Sequence, residues 1–113
     1  MQQQHIVESN ALVVRLPSEV LMSQTPTYRA ALLRHMDDGV ENIIVDLSGV
    51  RYMDSSGLSI LVSLHKKARE QGGRVVLVSP NDGVRALIEL TSLNQLFDIY
   101  ADEKSAIEQC VMS

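Results

Sequence analysis

Residues 45–61 read VDLSGVRYMDSSGLSIL, and the order of residue types in them decides the fold. The stretch opens inside an apolar run, NIIVDL at 42–47, which reads as a buried strand. A short polar link follows. From Ser55 to Gln71 the residues Leu58, Leu61, Leu64 and Ala68 recur at helical spacing, and Gly72 and Gly73 end the pattern. The next segment, RVVLVS at 74–79, is a continuous β-branched run of the kind found in strands covered on both faces. Strand, helix and strand in succession make a βαβ unit with a right-handed crossover.

Working outward, QQHIVES at 3–9 and ALVVRL at 11–16 are short apolar stretches around a Ser9-Asn10 turn signal, so they read as a β-hairpin whose second strand Pro17 stops. SQTP at 23–26 reads as a helix entry, with Pro26 suited to a first turn. Tyr28, Ala31, Leu32 and Met36 then predict a helix over 25–38 that Gly39 closes. A third helix follows SPNDG at 79–83, with Val84, Leu87 and Ile88 on one face. LFDIY at 96–100 is a last short strand. DEKSAIEQCVM at 102–112 is a terminal helix pointing Ala106, Ile107, Cys110 and Val111 one way. The order β-β-α-β-α-β-α-β-α predicts an α/β fold: a mixed, largely parallel sheet of about five strands with about four helices, an N-terminal hairpin, and one domain over 1–113.

Composition narrows the function classes. The chain has 113 residues, 45% hydrophobic and 21% charged, an ordinary globular balance with room for one core. A net charge of −4 and 4% aromatics without tryptophan argue against a nucleic-acid or anionic-membrane partner. No apolar run is long enough for direct membrane insertion, and MQQQHIVESN lacks the features of a secretory signal. The single cysteine, Cys110, cannot form an internal disulfide and fits a reducing, cytoplasmic setting. The expectation is a monomer or weak dimer.

Several chemistries find no support. The six glycines form neither common phosphate-cradling loop, and no cofactor is expected. His5, His35 and His65 lie far apart in sequence without paired cysteines, which gives no metal site. DSSGLS is not a nucleophile elbow, because no glycine precedes the serine at the required place. His65 falls on the apolar stripe and reads as a core-margin residue. Cys110 reads as a small core residue, and Asp37 and Asp38 as solvated acids at a helix end. No catalytic residue is therefore assigned.

Asp54, Ser55, Ser56 and Gly57 remain. Aspartate and serine are favoured helix N-caps because their oxygens accept from the unpaired amides of the first turn. One cap suffices, however, and here three candidates stand in a row. They also lie past the carboxyl end of a strand, where α/β sheets place their function. Beyond them Ser56, Ser59, Ile60 and Ser63 fall at i, i+3, i+4 and i+7, opposite the apolar stripe; either they form a docking face of small hydroxyls around Ile60, or Ile60 is an ordinary scattered surface apolar residue. A phosphoryl group on Ser56 would add about −1.5 to −2 charges at the edge of that face. The free amides of a helix start tolerate such charge, so association could be switched while the domain stays folded.

The segment IIVDLSGVRYMDSSGLSILVSLHKKAREQGGRVVLVSP, continued through VRALIELTSLNQLFDIYADEKSAIE, resembles the STAS domain of anti-sigma factor antagonists over nearly the whole chain. The resemblance implies a regulator without catalysis of its own. Its partner, an anti-sigma factor-like serine protein kinase, would phosphorylate the second serine of D-S-S-G, which is Ser56, with Asp54, Ser55 and Gly57 as loop neighbours. A metal-dependent serine phosphatase would reset it, and ATP and Mg²⁺ would belong to the kinase. Many members carry L-x-G-[ER]-[LIF]-D after the second strand. Here LPSEVL places Ser18 and Leu21 where the family has glycine and aspartate. That departure suits a divergent branch controlling a biofilm or polysaccharide programme. Two rival readings are a constitutive subunit of a lipid-transport or stress-sensing assembly, and a small enzyme using Ser56 as nucleophile.

Overall fold

The computed structural model describes residues 2–6, 11–20 and 25–112. Its main sheet has five strands: β1 (Gln2–Ile6), β2 (Ala11–Arg15), β4 (Asn42–Asp46), β6 (Arg74–Val78) and β7 (Asp98–Tyr100), in spatial order β1-β2-β4-β6-β7. β1 runs antiparallel to β2, with Gln4 opposite Val13. From β2 onward every pairing is parallel. The turn residues Ser9 and Asn10 lie outside the described residues, as do Ser23 and Leu21.

Among the described residues four α-helices accompany the sheet: α1 (Thr25–Asp37), α2 (Ser55–Glu70), α3 (Asp82–Leu90) and α4 (Glu103–Met112). The parallel strands are laid down in one direction, and right-handed crossovers then put every connecting helix on the same face. Packing follows that rule. Leu12 and Val14 of β2, Ile43 and Val45 of β4, and Val75 and Leu77 of β6 share one core with Leu32, Met36, Leu58, Leu61, Leu64 and Ile88 of the first three helices. The alternate residues Val13, Ile44, Val76 and Val78 face the other way and are covered by Ala106 and Cys110 of α4. α4 follows the last strand, so no crossover constrains it and it is free to close the second face. Both faces of β6 are buried, as its β-branched run predicts.

α1 and α2 lie side by side and run parallel. Arg29 of α1 meets Ser59 of α2, and Asp37 meets Lys67 at the same offset. Asp37 and Asp38 are both exposed, but Asp37 is paired, its carboxylate lying 2.9 Å from the Lys67 ammonium. α2 ends where Gly72 takes a positive φ of 76°, a conformation that suits glycine.

Two short strands go beyond the sequence reading, which leaves their residues as links. Glu19–Val20 (β3) pairs in parallel with Tyr52–Met53 (β5) as a separate two-stranded sheet. Two residues are too few to show a periodicity, so only the pairing reveals them. This small sheet abuts the start of α2.

Candidate functional site

The site is built where β5 runs into α2. The Ser18 carbonyl accepts from the amides of Arg51 and Tyr52 at 2.7 and 3.0 Å, and the Val20 carbonyl accepts from the Asp54 amide at 3.4 Å. These bonds tie the residues ahead of the helix to β3. Ser18 acts here through its carbonyl and its residue is exposed, so a side chain in place of the family's glycine meets no obstruction.

Asp54 is the helix cap. Its backbone is extended, with φ −101° and ψ −175°, and Oδ1 accepts from the Gly57 amide at 3.1 Å. Ser55 and Ser56 are therefore the first two helical residues and not caps. Ser55 is exposed and Ser56 half-buried, and among the described residues neither hydroxyl has a hydrogen-bond partner. Gly57 is buried for a packing reason. A Cβ there would lie 2.5 Å from Met53 Cγ and 3.1 Å from the Val20 carbonyl oxygen, so glycine lets the small sheet close against the first turn.

The expected docking face needs correction. Ile60 is 0% exposed and belongs to the core. It borders the Leu61–Leu64 side of the helix, and α1 alongside extends the buried arc past the stripe read from spacing alone. Ser59 and Ser63 are half-buried, and their hydroxyls are used within the protein. Ser59 Oγ donates to the Ser56 carbonyl at 2.6 Å and accepts from Arg29 Nη2 at 2.6 Å, while Ser63 Oγ donates to the Ser59 carbonyl at 2.9 Å. Of the residues expected to share one outward face, Ser56 keeps the unengaged hydroxyl.

In place of Ile60 the structure presents Tyr52, 69% exposed and three residues before Ser55 in the chain. With Arg51, Met53, Gly83 and Val84 it lines a shallow cleft of about 180 Å³ between β5 and the first turn of α3. The available signal was an aromatic residue two positions before the aspartate of the motif. Asn81 fixes the far wall: its Oδ1 accepts from the Val84 amide at 2.8 Å and its Nδ2 donates to the Val50 carbonyl at 2.9 Å.

His65 lies nine residues beyond Ser56 on α2, about 13 Å along the axis, and packs edge-on against Phe97 at 5.4 Å and 69°. That is the core-margin role read from its position. Cys110 is buried. Among the described residues no group of three His, Cys, Asp or Glu side chains could hold a metal ion, and no helix is long and apolar enough to cross a membrane.

A second polar cluster sits at the carboxyl ends of β2 and β4. Arg15 donates through Nε and Nη2 to the two Glu103 oxygens at 2.8 and 2.7 Å, which raises its already high pKa. Burial pushes the neighbouring Asp46 carboxyl up. The hydrogen bond from the Ser48 amide, 2.8 Å away, and the Arg15 charge outweigh burial and hold it below the usual range. The cluster fastens the start of α4 to the sheet.

Comparison with known proteins places this arrangement. The chain is 27% identical over 99 residues to the anti-sigma-B factor antagonist of Bacillus subtilis (strain 168), covering 88% of this chain and 90% of that one. The structure of the anti-sigma factor antagonist SpoIIAA in its unphosphorylated form matches with a TM-score of 0.85 at 25% identity, over 96% of this chain and 93% of the other. The Bacillus cell fate determinant SpoIIAA in its phosphorylated form shares the fold, with a TM-score of 0.77 at 24% identity over 96% of each chain. The family model for the STAS domain matches residues 2–106, and the chain belongs to that family.

Proposed function

We propose that this chain is a non-catalytic bacterial regulator that binds an anti-sigma factor-like serine kinase while unphosphorylated and is switched off by phosphorylation of Ser56. The observation that carries this reading is the division of labour at the start of α2: Asp54 caps the helix, and among the described residues the Ser56 hydroxyl has no hydrogen-bond partner. The choice of Ser56 over Ser55 rests on the family resemblance. In the transfer, the Ser56 oxygen attacks the γ-phosphorus of ATP held by the kinase. The new O–P bond forms as the bond to ADP breaks, and the hydroxyl proton passes to a base on the kinase. A metal-dependent phosphatase returns the serine and inorganic phosphate using water.

The docking surface runs over Ser55, Ser56 and exposed Tyr52, with Ser59 and Ser63 at its margin. A dianionic phosphate there must be desolvated or must face partner acids, and either loosens the complex. The setting is the cytoplasm, and the output is transcription or a biofilm or polysaccharide programme.

The test pairs intact mass with binding. Incubation with the cognate kinase and ATP adds one phosphoryl mass to the wild-type chain and none to Ser56→Ala. In co-precipitation Ser56→Ala retains the kinase, whereas Ser56→Asp weakens binding at least about tenfold, equivalent to about 1.4 kcal/mol. Equal binding by both variants, with no phosphoryl gain, overturns the reading.

A further inference from the structure

We propose that Arg29 is the internal counter-ion of the phosphate on Ser56, so that an Arg29–phosphoserine pair across α1 and α2 holds the off state. This rests on the phosphorylation reading above. Arg29 Nη2 donates to Ser59 Oγ at 2.6 Å, and the same Oγ donates to the Ser56 carbonyl at 2.6 Å. The guanidinium is thus one hydroxyl away from the residue to be modified.

Arg29 is also under-used. Its Nε is buried and has no hydrogen-bond partner, and among the described residues no carboxylate pairs with its guanidinium. Two other cations of the fold are ion-paired, Arg15 to Glu103 and Lys67 to Asp37. A buried N–H left unmade is unfavourable, and a fork of five donors held by one neutral hydroxyl is poorly matched.

Phosphoserine supplies what is missing. Residues three apart on a helix have Cβ atoms about 5–6 Å apart, and a phosphoryl group lengthens the Ser56 side chain while adding three strong acceptors. Because α1 and α2 run parallel, Arg29 stands beside the first turns of α2 and not its far end. A small rotation of the guanidinium exchanges a bond to a neutral hydroxyl for charge-assisted bonds to a dianion, the pairing that arginine's planar fork favours. The pair draws the phosphate toward α1 and keeps it ionised near neutral pH. The competing role, in which Arg29 only fastens α1 to α2 through Ser59, does not alter the phosphate.

The experiment uses the full chain with phosphoserine genetically encoded at position 56, and its phosphorus resonance is followed against pH. With Arg29 present, the second ionisation of the phosphate is expected at least about half a unit lower than in Arg29→Gln, with Arg29→Lys between them. Identical midpoints for Arg29 and Arg29→Gln overturn the proposal. Should Arg29→Gln fail to fold, the Arg29 Nε–H resonance of the wild-type chain decides. A downfield shift with slowed exchange on phosphorylation supports the pair, and an unmoved signal overturns it. The phosphate is built in and not transferred, so the two readings fail separately. Absence of phosphorylation by any kinase defeats the switch, and an unchanged midpoint defeats Arg29 alone.

Discussion

Asp54 Oδ1 accepts a hydrogen bond from the Gly57 amide at 3.1 Å, spanning the two serines between them. That contact satisfies one of the open amides of the first turn of α2 and relieves Ser55 and Ser56 of capping. The expected consequence is a stability effect confined to position 54. Asp54→Ala lowers stability by about 1 kcal/mol, and Asp54→Asn, which keeps an accepting oxygen, stays within a few tenths of wild type. Urea denaturation midpoints measure both, and equal losses in the two variants would show that the cap is not what Asp54 contributes.

Gly57→Ala opposes two effects of known size. Alanine improves helix propensity by up to about 1 kcal/mol, whereas overpacking costs about 1–3 kcal/mol. The added Cβ would meet Met53 Cγ at 2.5 Å and a backbone carbonyl at 3.1 Å, so overpacking wins and the variant is less stable. Because the clash is with Met53 and Val20, Met53→Ala introduced alongside recovers part of the loss relative to Met53→Ala alone. A double-mutant cycle reads that coupling directly.

Ile60 separates the buried and exposed readings of α2. With the residue 0% exposed, Ile60→Ala removes core contacts and costs about 2–5 kcal/mol, and Ile60→Val about 0.5–1.5. A residue on an open docking face would lose partner affinity at unchanged stability. Thermal denaturation of the isolated chain distinguishes the two, since it contains no partner.

Asp46 makes the fold acid-sensitive. Its folded-state pKa is lowered, so the stabilisation is present above the unfolded value of about 3.9 and is lost as pH falls through the lower folded value. Wild-type stability therefore declines increasingly below about pH 4. Asp46→Asn costs about 1–3 kcal/mol at neutral pH, as expected for a charge-assisted hydrogen bond, and its acid limb is flatter. Urea midpoints collected from pH 3 to 7 test both features; parallel curves would assign the acid sensitivity to other carboxyls.

The legible parts of the site were those carried by local chemistry. Asp54, Ser55, Ser56 and Gly57 announce a helix start by residue type alone, and the structure places all four there. Ile60 was misplaced because helical spacing ranks residues around a single axis. Whether the flank of that axis is open depends on where α1 lies, and a hydropathy stripe on α2 contains no information about α1. Tyr52 was overlooked for a related reason, since its exposure follows from a two-residue strand pairing that no periodicity can signal. Arg29 carries no mark in the sequence at all. Only the parallel packing of α1 on α2 brings it to Ser59.

By itself the sequence determined the order of the main-sheet strands and the four α-helices, the two-faced burial of the central strands and the helix start after Asp54, because each is fixed by the chemistry of neighbouring residues. Tertiary structure decided which helix covers which face, that β3 and β5 brace the serine loop, and which hydroxyls of α2 remain unengaged. These depend on contacts between residues distant in sequence. The right-handed crossovers put α1, α2 and α3 on one side and left α4 to close the other.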